Sequence, residues 1–258
     1  DAPIRSEEDL DRLHPRSMTH DAAETERLLD LAHELFDDVL TVRRHYHHGW
    51  DAPLTMAAIK LRGLEQLMMD LYDAPELVRR LMAFLRDSKL AELTWLEEQD
   101  LLSLDNGPDD YVGSGGIGCT DELPAADFDG HVRPKDLWGF GESQEFVHVG
   151  PAHWREFVLA YQISILERFG LTHYGCCEPM TDKFVILRED LPRLRRVSVS
   201  PWWDPADAAG KLGERYIFSW KPAPAMICAP TMDWERVETY TRDALTAARD
   251  CVVEMVMK

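Results

Sequence analysis

The sequence predicts an α/β fold, a (β/α)8 TIM-type barrel in one domain over residues 1–258, with its first strands shortened or absent. Three observations lead there. Short apolar runs alternate with amphipathic helical stretches, as in parallel βαβ units. Reactive side chains gather just after several of those runs, where a barrel carries its active site. No internal repeat, low-complexity stretch or linker divides the 258 residues, which suffice for one barrel.

Taken in order, Ser6 to Leu13 reads as a short helix, with Ser6 as N-cap and acidic residues in the first turn. Asp21 to Val39 follows, with Leu28, Leu29, Leu31, Leu35 and Phe36 at helical spacing. Val39 to Tyr46 is strand-like and ends in His45-Tyr46-His47-His48-Gly49-Trp50. Helices are expected over Leu54 to Tyr72 and Pro75 to Gln99, the second with proline in its first turn. Leu101 to Asp105 reads as a short strand running into Asn106-Gly107-Pro108, and Tyr111 to Asp129 as a loop. The strand Leu137 to Glu142 leads to a helix over about Ala152 to Phe169 and then the strand Leu171 to Cys177. A helix near Lys183 to Leu191, the strand Arg196 to Ser200, the helix Pro205 to Leu212 and the strand Tyr216 to Trp220 come next. A final helix from about Asp233 takes in Cys251 as a core residue. About six strands are visible, against the eight of a closed barrel.

A formal charge of −19 argues against nucleic acid or an anionic membrane as partner, since both reward basic surface. No apolar run reaches the ~20 residues of a membrane span. The polar N-terminus carries no signal-peptide core, and five cysteines in a chain this long do not read as a secreted disulfide framework. A reducing cytoplasm is the expected compartment. The chain begins without methionine and is expected to be a processed product or a fragment.

The stretch His173-Tyr174-Gly175-Cys176-Cys177-Glu178 packs imidazole, thiols and carboxylate together, a donor set suited to a transition metal and to zinc first. The other reading is two small apolar thiols packed behind a strand end. His173 with Cys176 or Cys177 can converge if the strand bends at Gly175, and a further ligand must come from elsewhere. Cys228 is the natural candidate and Cys119 the reserve. Catalytic zinc keeps three protein ligands and one open position, so such a set is chemically sufficient.

Four other clusters fall at strand ends: His45 to His48, Asp105-Asn106, Glu142 and Trp220-Lys221. His45 and His47 share a strand face while His48 points away. His47, Asn106, Trp138 and Trp220 are taken as substrate-binding candidates. Glu142, Glu178 and Lys221 are the catalytic candidates, either carboxylate being able to handle a proton; Glu142 is equally explained as an ion-pair partner for Lys221. Gly113-Ser114-Gly115-Gly116-Ile117-Gly118 lacks the lysine and following helix of a phosphate-binding P-loop, so it reads as an active-site loop.

With these residues in hand, the chain resembles the uroporphyrinogen decarboxylase-like superfamily from roughly Leu40 to the C-terminus. The resemblance rests on Tyr72-Asp73-Ala74-Pro75-Glu76-Leu77-Val78, Tyr111-Val112-Gly113-Ser114-Gly115-Gly116 and Trp138-Gly139-Phe140-Gly141-Glu142-Ser143-Gln144. Tyr174-Gly175-Cys176-Cys177-Glu178-Pro179, Val197-Ser198-Val199-Ser200-Pro201-Trp202 and Phe218-Ser219-Trp220-Lys221-Pro222 continue it. The chain looks most like an uncharacterised branch beside the corrinoid-dependent methyltransferases.

The resemblance implies a (β/α)8 barrel whose opening portion before Leu40 is missing or short here. In the methyltransferase branch a His-x-Cys pair and a later cysteine hold zinc; here Cys176 and Cys177 stand three and four positions after His173. The decarboxylase's arginine-rich substrate motif has no counterpart. The leading expectation is a zinc-dependent methyltransferase acting with a corrinoid cofactor or corrinoid protein on a small methylated substrate. A cofactor-free decarboxylase-type lyase that holds an acidic substrate with Lys221 is the second, and a non-catalytic ligand-binding barrel the third.

Overall fold

The computed structural model describes residues 2–45, 52–191, 193–226, 228 and 231–257. Among the described residues, helices α1 (Glu7–Leu10), α2 (Ala22–Phe36), α3 (Leu54–Arg62), α4 (Leu64–Asp73) and α5 (Pro75–Glu98) precede every strand. Asp21 caps α2, its carboxylate accepting from the Glu24 amide at 3.0 Å. The apolar stripe of α2 stays in solvent, for Leu28, Leu31, Leu35 and Phe36 are all exposed. The single helix expected over Leu54 to Tyr72 is two, α3 and α4, because Gly63 takes a φ of 87° that no helical residue adopts. Buried Arg62 closes this region, pairing with Asp70 and donating to the Ile4 carbonyl at 3.1 Å.

A short antiparallel hairpin follows, β1 (Tyr111–Val112) with β2 (Gly116–Ile117). The sequence reads this stretch as loop, because its glycines mask so short a pairing. The main sheet is entirely parallel and in sequential order: β3 (Trp138–Gly141), β4 (Leu171–Tyr174), β5 (Leu194–Val199), β6 (Ile217–Trp220) and β7 (Val252–Met255). Between these strands run α6 (Pro151–Trp154), a π turn over Arg155–Leu159, α7 (Ala160–Leu166), α8 (Phe184–Asp190), α9 (Pro205–Leu212) and α10 (Trp234–Ala247). Helices flank the sheet, as parallel strands require.

Strand β7 is missing from the sequence prediction, which runs the last helix through it. Cys251 therefore lies between α10 and β7, half-buried, and not in a helix. The reverse also occurs. The strands expected over Val39 to Tyr46 and Leu101 to Asp105 carry no strand structure at residues 39–45 and 101–105, and Tyr46 lies outside the described residues. The Asp105 carboxylate nevertheless accepts from the Trp138 amide, 3.2 Å from each oxygen, taking the place of a ladder bond on the edge of β3. On the same edge the Ala52 amide donates to the Phe140 carbonyl at 3.0 Å, an isolated parallel bridge. The fold is thus α/β with a five-stranded parallel sheet, and a closed eight-stranded barrel is not formed among the described residues.

Alternation sorts the sheet into two faces. One carries Val197, Val199, Tyr174, Phe218 and Trp220 against the helices, within the main apolar core. Gly139 and Gly141 belong to it, since a Cβ on Gly141 would meet Tyr174 and Leu166 of α7. The other carries Trp138, Phe140, His173, Arg196, Ser198, Ser219 and a half-buried Glu254, and apart from that edge it is buried yet strongly polar. The hairpin roofs this polar face.

Candidate functional site

The polar face is built by register. Phe140 pairs with His173, His173 with Arg196, Ser198 with Ser219, and Ser219 with Glu254, so these residues sit side by side. A register shift between Thr172 and His173 turns Arg196 onto the same face as His173. Lys221, just past β6, reaches back and donates from Nζ to Ser198 Oγ. The same Ser198 oxygen lies 2.9 Å from His173 Nε2 and donates to the Gly175 carbonyl. Lys221, Ser198 and His173 form one hydrogen-bonded chain across β6, β5 and β4, all three buried.

Arg196 is the second cation here and is only 2% exposed. Its Nε lies 2.8 Å from Glu254 Oε1, its Nη2 donates to the Ile117 carbonyl, and its guanidinium stands 4.5 Å from the centre of the Trp138 ring. Burial lowers its pKa from the ordinary arginine value, and the Glu254 charge pulls the other way. Among the described residues its Nη1 has no hydrogen-bond partner.

The hairpin covers these groups at backbone range. A Cβ on Gly113 would lie 2.5 Å from the Phe140 ring and 2.7 Å from His173 Nδ1; one on Gly116 would lie 2.6 Å from Arg196 Nη1. Ser114 of the same loop donates to Cys176 Sγ at 3.1 Å. The glycines expected to form an active-site loop thus form a close-fitting roof, and only residues without Cβ let it sit so low.

The candidate residues separate into groups. His173, Lys221 and Trp138 share the polar face, with Trp138 Nε1 donating to the Gly118 carbonyl at 2.9 Å. Glu142 is buried at the end of β3, one oxygen accepting from the Gln144 amide at 3.0 Å. Glu178 is placed as a clamp. Its two oxygens accept from the Ser143 amide at 2.8 Å and the Cys176 amide at 2.9 Å, tying the loop after β3 to the loop after β4. That placement differs from the proton-handling role expected of it.

Trp220 lies on the opposite face, its ring 5.5 Å from Tyr240 of α10, so it packs the core and does not face the site. Asn106 pins the preceding loop, donating to the Leu123 carbonyl at 2.7 Å. His47 lies outside the described residues.

Cys176 is buried and Cys177 exposed, and their sulfurs stand 3.6 Å apart. Cys228 is exposed, and most of its near neighbours lie outside the described residues. Among the described residues no group of three or more His, Cys, Asp or Glu side chains could hold a metal ion. His173 Nε2 lies 2.9 Å from Ser198 Oγ, and the two thiols stand against each other.

Ser198, Arg196 and Glu254 were missed by sequence reasoning. A signal for the first two was present: in Arg196-Val197-Ser198-Val199-Ser200 polar residues alternate with valines, whereas a parallel strand packed on apolar layers reads as a continuous apolar run. Glu254 gave no such signal, because β7 itself was hidden.

No helix among the described residues is long and apolar enough to cross a membrane. A scan against protein-family models, a search of curated proteins and a search of solved structures each find no match.

Proposed function

We propose that this chain is an enzyme of the decarboxylase-type lyase class, acting on a small carboxylate-bearing substrate over the polar face of β3 to β7. The observation that carries the reading is the buried Lys221–Ser198–His173 chain beside the buried Arg196 guanidinium. The proposal extends to the architecture: five parallel strands in sequential order, with a further parallel bridge at Ala52, are the later part of a (β/α)8 barrel that places these groups at its mouth.

Two buried cations on one face suit a carboxylate, which Arg196 would take through Nη1 and Lys221 through Nζ. As CO2 leaves, the bonding pair stays on carbon and takes a proton from the Lys221 ammonium, which Ser198, itself held by His173, keeps in position. Trp138 supplies an apolar wall and supports the guanidinium from below. The net charge of −19 does not oppose an acidic substrate if the local field in the site is positive. The roofing hairpin has to lift for entry.

Calorimetric titration with small polycarboxylates and with tetrapyrrole carboxylates tests this reading. Binding to the native chain that falls at least about tenfold in Lys221→Met, a loss of about 1.4 kcal/mol, is the expected result. Absence of binding by every carboxylate tried would refute it.

The adjacent thiols favour a second reading, the zinc-dependent methyl transfer with a corrinoid-bearing partner. There His173, Cys176 and Cys177 would provide donors and the loop of Cys228 would have to supply another. Zinc so held would lower the pKa of a thiol acceptor or polarise a methyl ether. Elemental analysis of protein purified without added zinc decides it. Less than about a tenth of an equivalent, with thiols titrating normally, removes this reading.

A further inference from the structure

The two sulfurs of Cys176 and Cys177 differ sharply in setting. Cys177 is exposed, whereas Cys176 is buried 3.6 Å behind it with its sulfur held by the Ser114 hydroxyl. Gly175, at a φ of 96°, turns the chain so that consecutive side chains crowd together and do not alternate across a strand. Glu178 then fixes the Cys176 amide from behind. An exposed thiol backed at near-contact distance by a buried one is the arrangement of an attacking and a resolving cysteine.

We infer that Cys176 and Cys177 form a thiol–disulfide exchange site for low-molecular-weight disulfides such as oxidised glutathione. The Cys177 thiolate attacks one sulfur of the small disulfide, whose S–S bond breaks and releases one thiolate. The mixed disulfide on Cys177 is then attacked by Cys176 Sγ, which gives up its proton. The second small thiolate leaves, and the bond between Cys176 and Cys177 forms. Overall the two protein thiols are oxidised, the small disulfide is reduced to two thiols, and both protons go to the departing thiolates.

The product ring is closed across a single peptide bond. Adjacent Cα atoms lie about 3.8 Å apart across a trans peptide, below the roughly 4.4–6.8 Å usual for disulfides, so the bond is strained and readily reduced. Such bonds belong to the labile, reversible class. The inference requires neither the lyase reading nor bound zinc.

The test uses the full chain, reduced, desalted and incubated with oxidised glutathione, followed by alkylation and tryptic mapping. Cleavage after Arg168 and Lys183 yields Phe169–Lys183, which carries both cysteines and no other, so Cys119, Cys228 and Cys251 do not interfere. The expected result is a peptide lighter by two hydrogens, protected from alkylation and restored by dithiothreitol. In Cys176→Ser the same peptide should instead gain one glutathionyl group on Cys177, and in Cys177→Ser neither product should form. A lasting glutathionyl adduct on native Cys177, an unmodified peptide, or thiols shielded until a chelator is added would each overturn the inference. Native protein alone separates these outcomes if a variant fails to fold.

Discussion

Lys183 is buried just before α8, its Nζ donating to the Phe146 carbonyl at 2.9 Å and lying 5.3 Å from the centre of the Trp154 ring. Burial holds its pKa at about 8 against the ordinary 10.5, and the Glu178 charge offsets only part of that. The shift corresponds to about 3 kcal/mol of penalty for the buried ammonium. Below about pH 8 folded and unfolded chains both carry the proton, and the penalty is present in full. Between about pH 8 and 10.5 the unfolded chain holds a proton that the folded chain has released, so stability rises with pH across that window.

Lys183→Met removes the titration while keeping an unbranched apolar stem. It also leaves the Phe146 carbonyl without its donor, a pH-independent cost of about 1–3 kcal/mol. The pH trend is therefore the decisive quantity. From about pH 7 to about pH 9.5, the stability of Lys183→Met relative to the native chain should fall by about 2 kcal/mol. Urea midpoints of both proteins at matched pH, with equal slopes, measure it. A difference that stays constant within about 0.5 kcal/mol over this range would show that the folded lysine titrates at its ordinary value and would refute the argument.

Gly113→Ala forces a Cβ against Phe140 and His173 at a φ of 56°. It should destabilise by about 2–5 kcal/mol, or lift the hairpin and expose it to limited proteolysis. Unaltered thermal unfolding together with unaltered protease resistance would show that the roof is not packed as described. Arg196→Met leaves Glu254 facing a buried site without its cation and should cost about 3–5 kcal/mol, most of it recovered in the double variant with Glu254→Gln. Additive losses in that cycle would argue against the pair. Glu178→Gln turns an acceptor into a donor that faces a backbone amide, so about 1–3 kcal/mol should be lost in denaturant unfolding. A loss well below that range would remove Glu178 from its role as a clamp.

Elements with a local signature were legible in the sequence. Pro75 opening α5, Asp21 capping α2 and Asp204-Pro205 opening α9 mark helix starts through capping and φ chemistry that act within one turn. Apolar runs marked β3 to β6 for the same reason. Elements defined by distant partners were not. Val252–Met255 becomes a strand only because Trp220 and its neighbours in β6 pair with it, and its exposed valines resemble the flank of a helix. Leu101 to Asp105 looks like a strand yet contributes one side chain to the edge of β3, and Gly63 cuts a continuous helical pattern by conformation alone.

The site follows the same division, and this bears on which chemistry the fold favours. The cysteine pair was legible as composition, but composition does not reveal where ligands point; in the folded chain His173 turns to Ser198, and the thiols face each other. What decides the character of the polar face is strand register, a non-local property. It sets one serine between a lysine and a histidine and one arginine against a tryptophan. A sheet face that exists only for packing has no reason to bury two cations, since each costs several kcal/mol to desolvate and valine would fill the space. The cost is sustained on the face that the glycine hairpin roofs, whereas the helix-side face of the same strands is almost wholly apolar. Charge retained on one side of a sheet, two cations against the one carboxylate of Glu254, and removed from the other supports the proposed reading of this face as a carboxylate site.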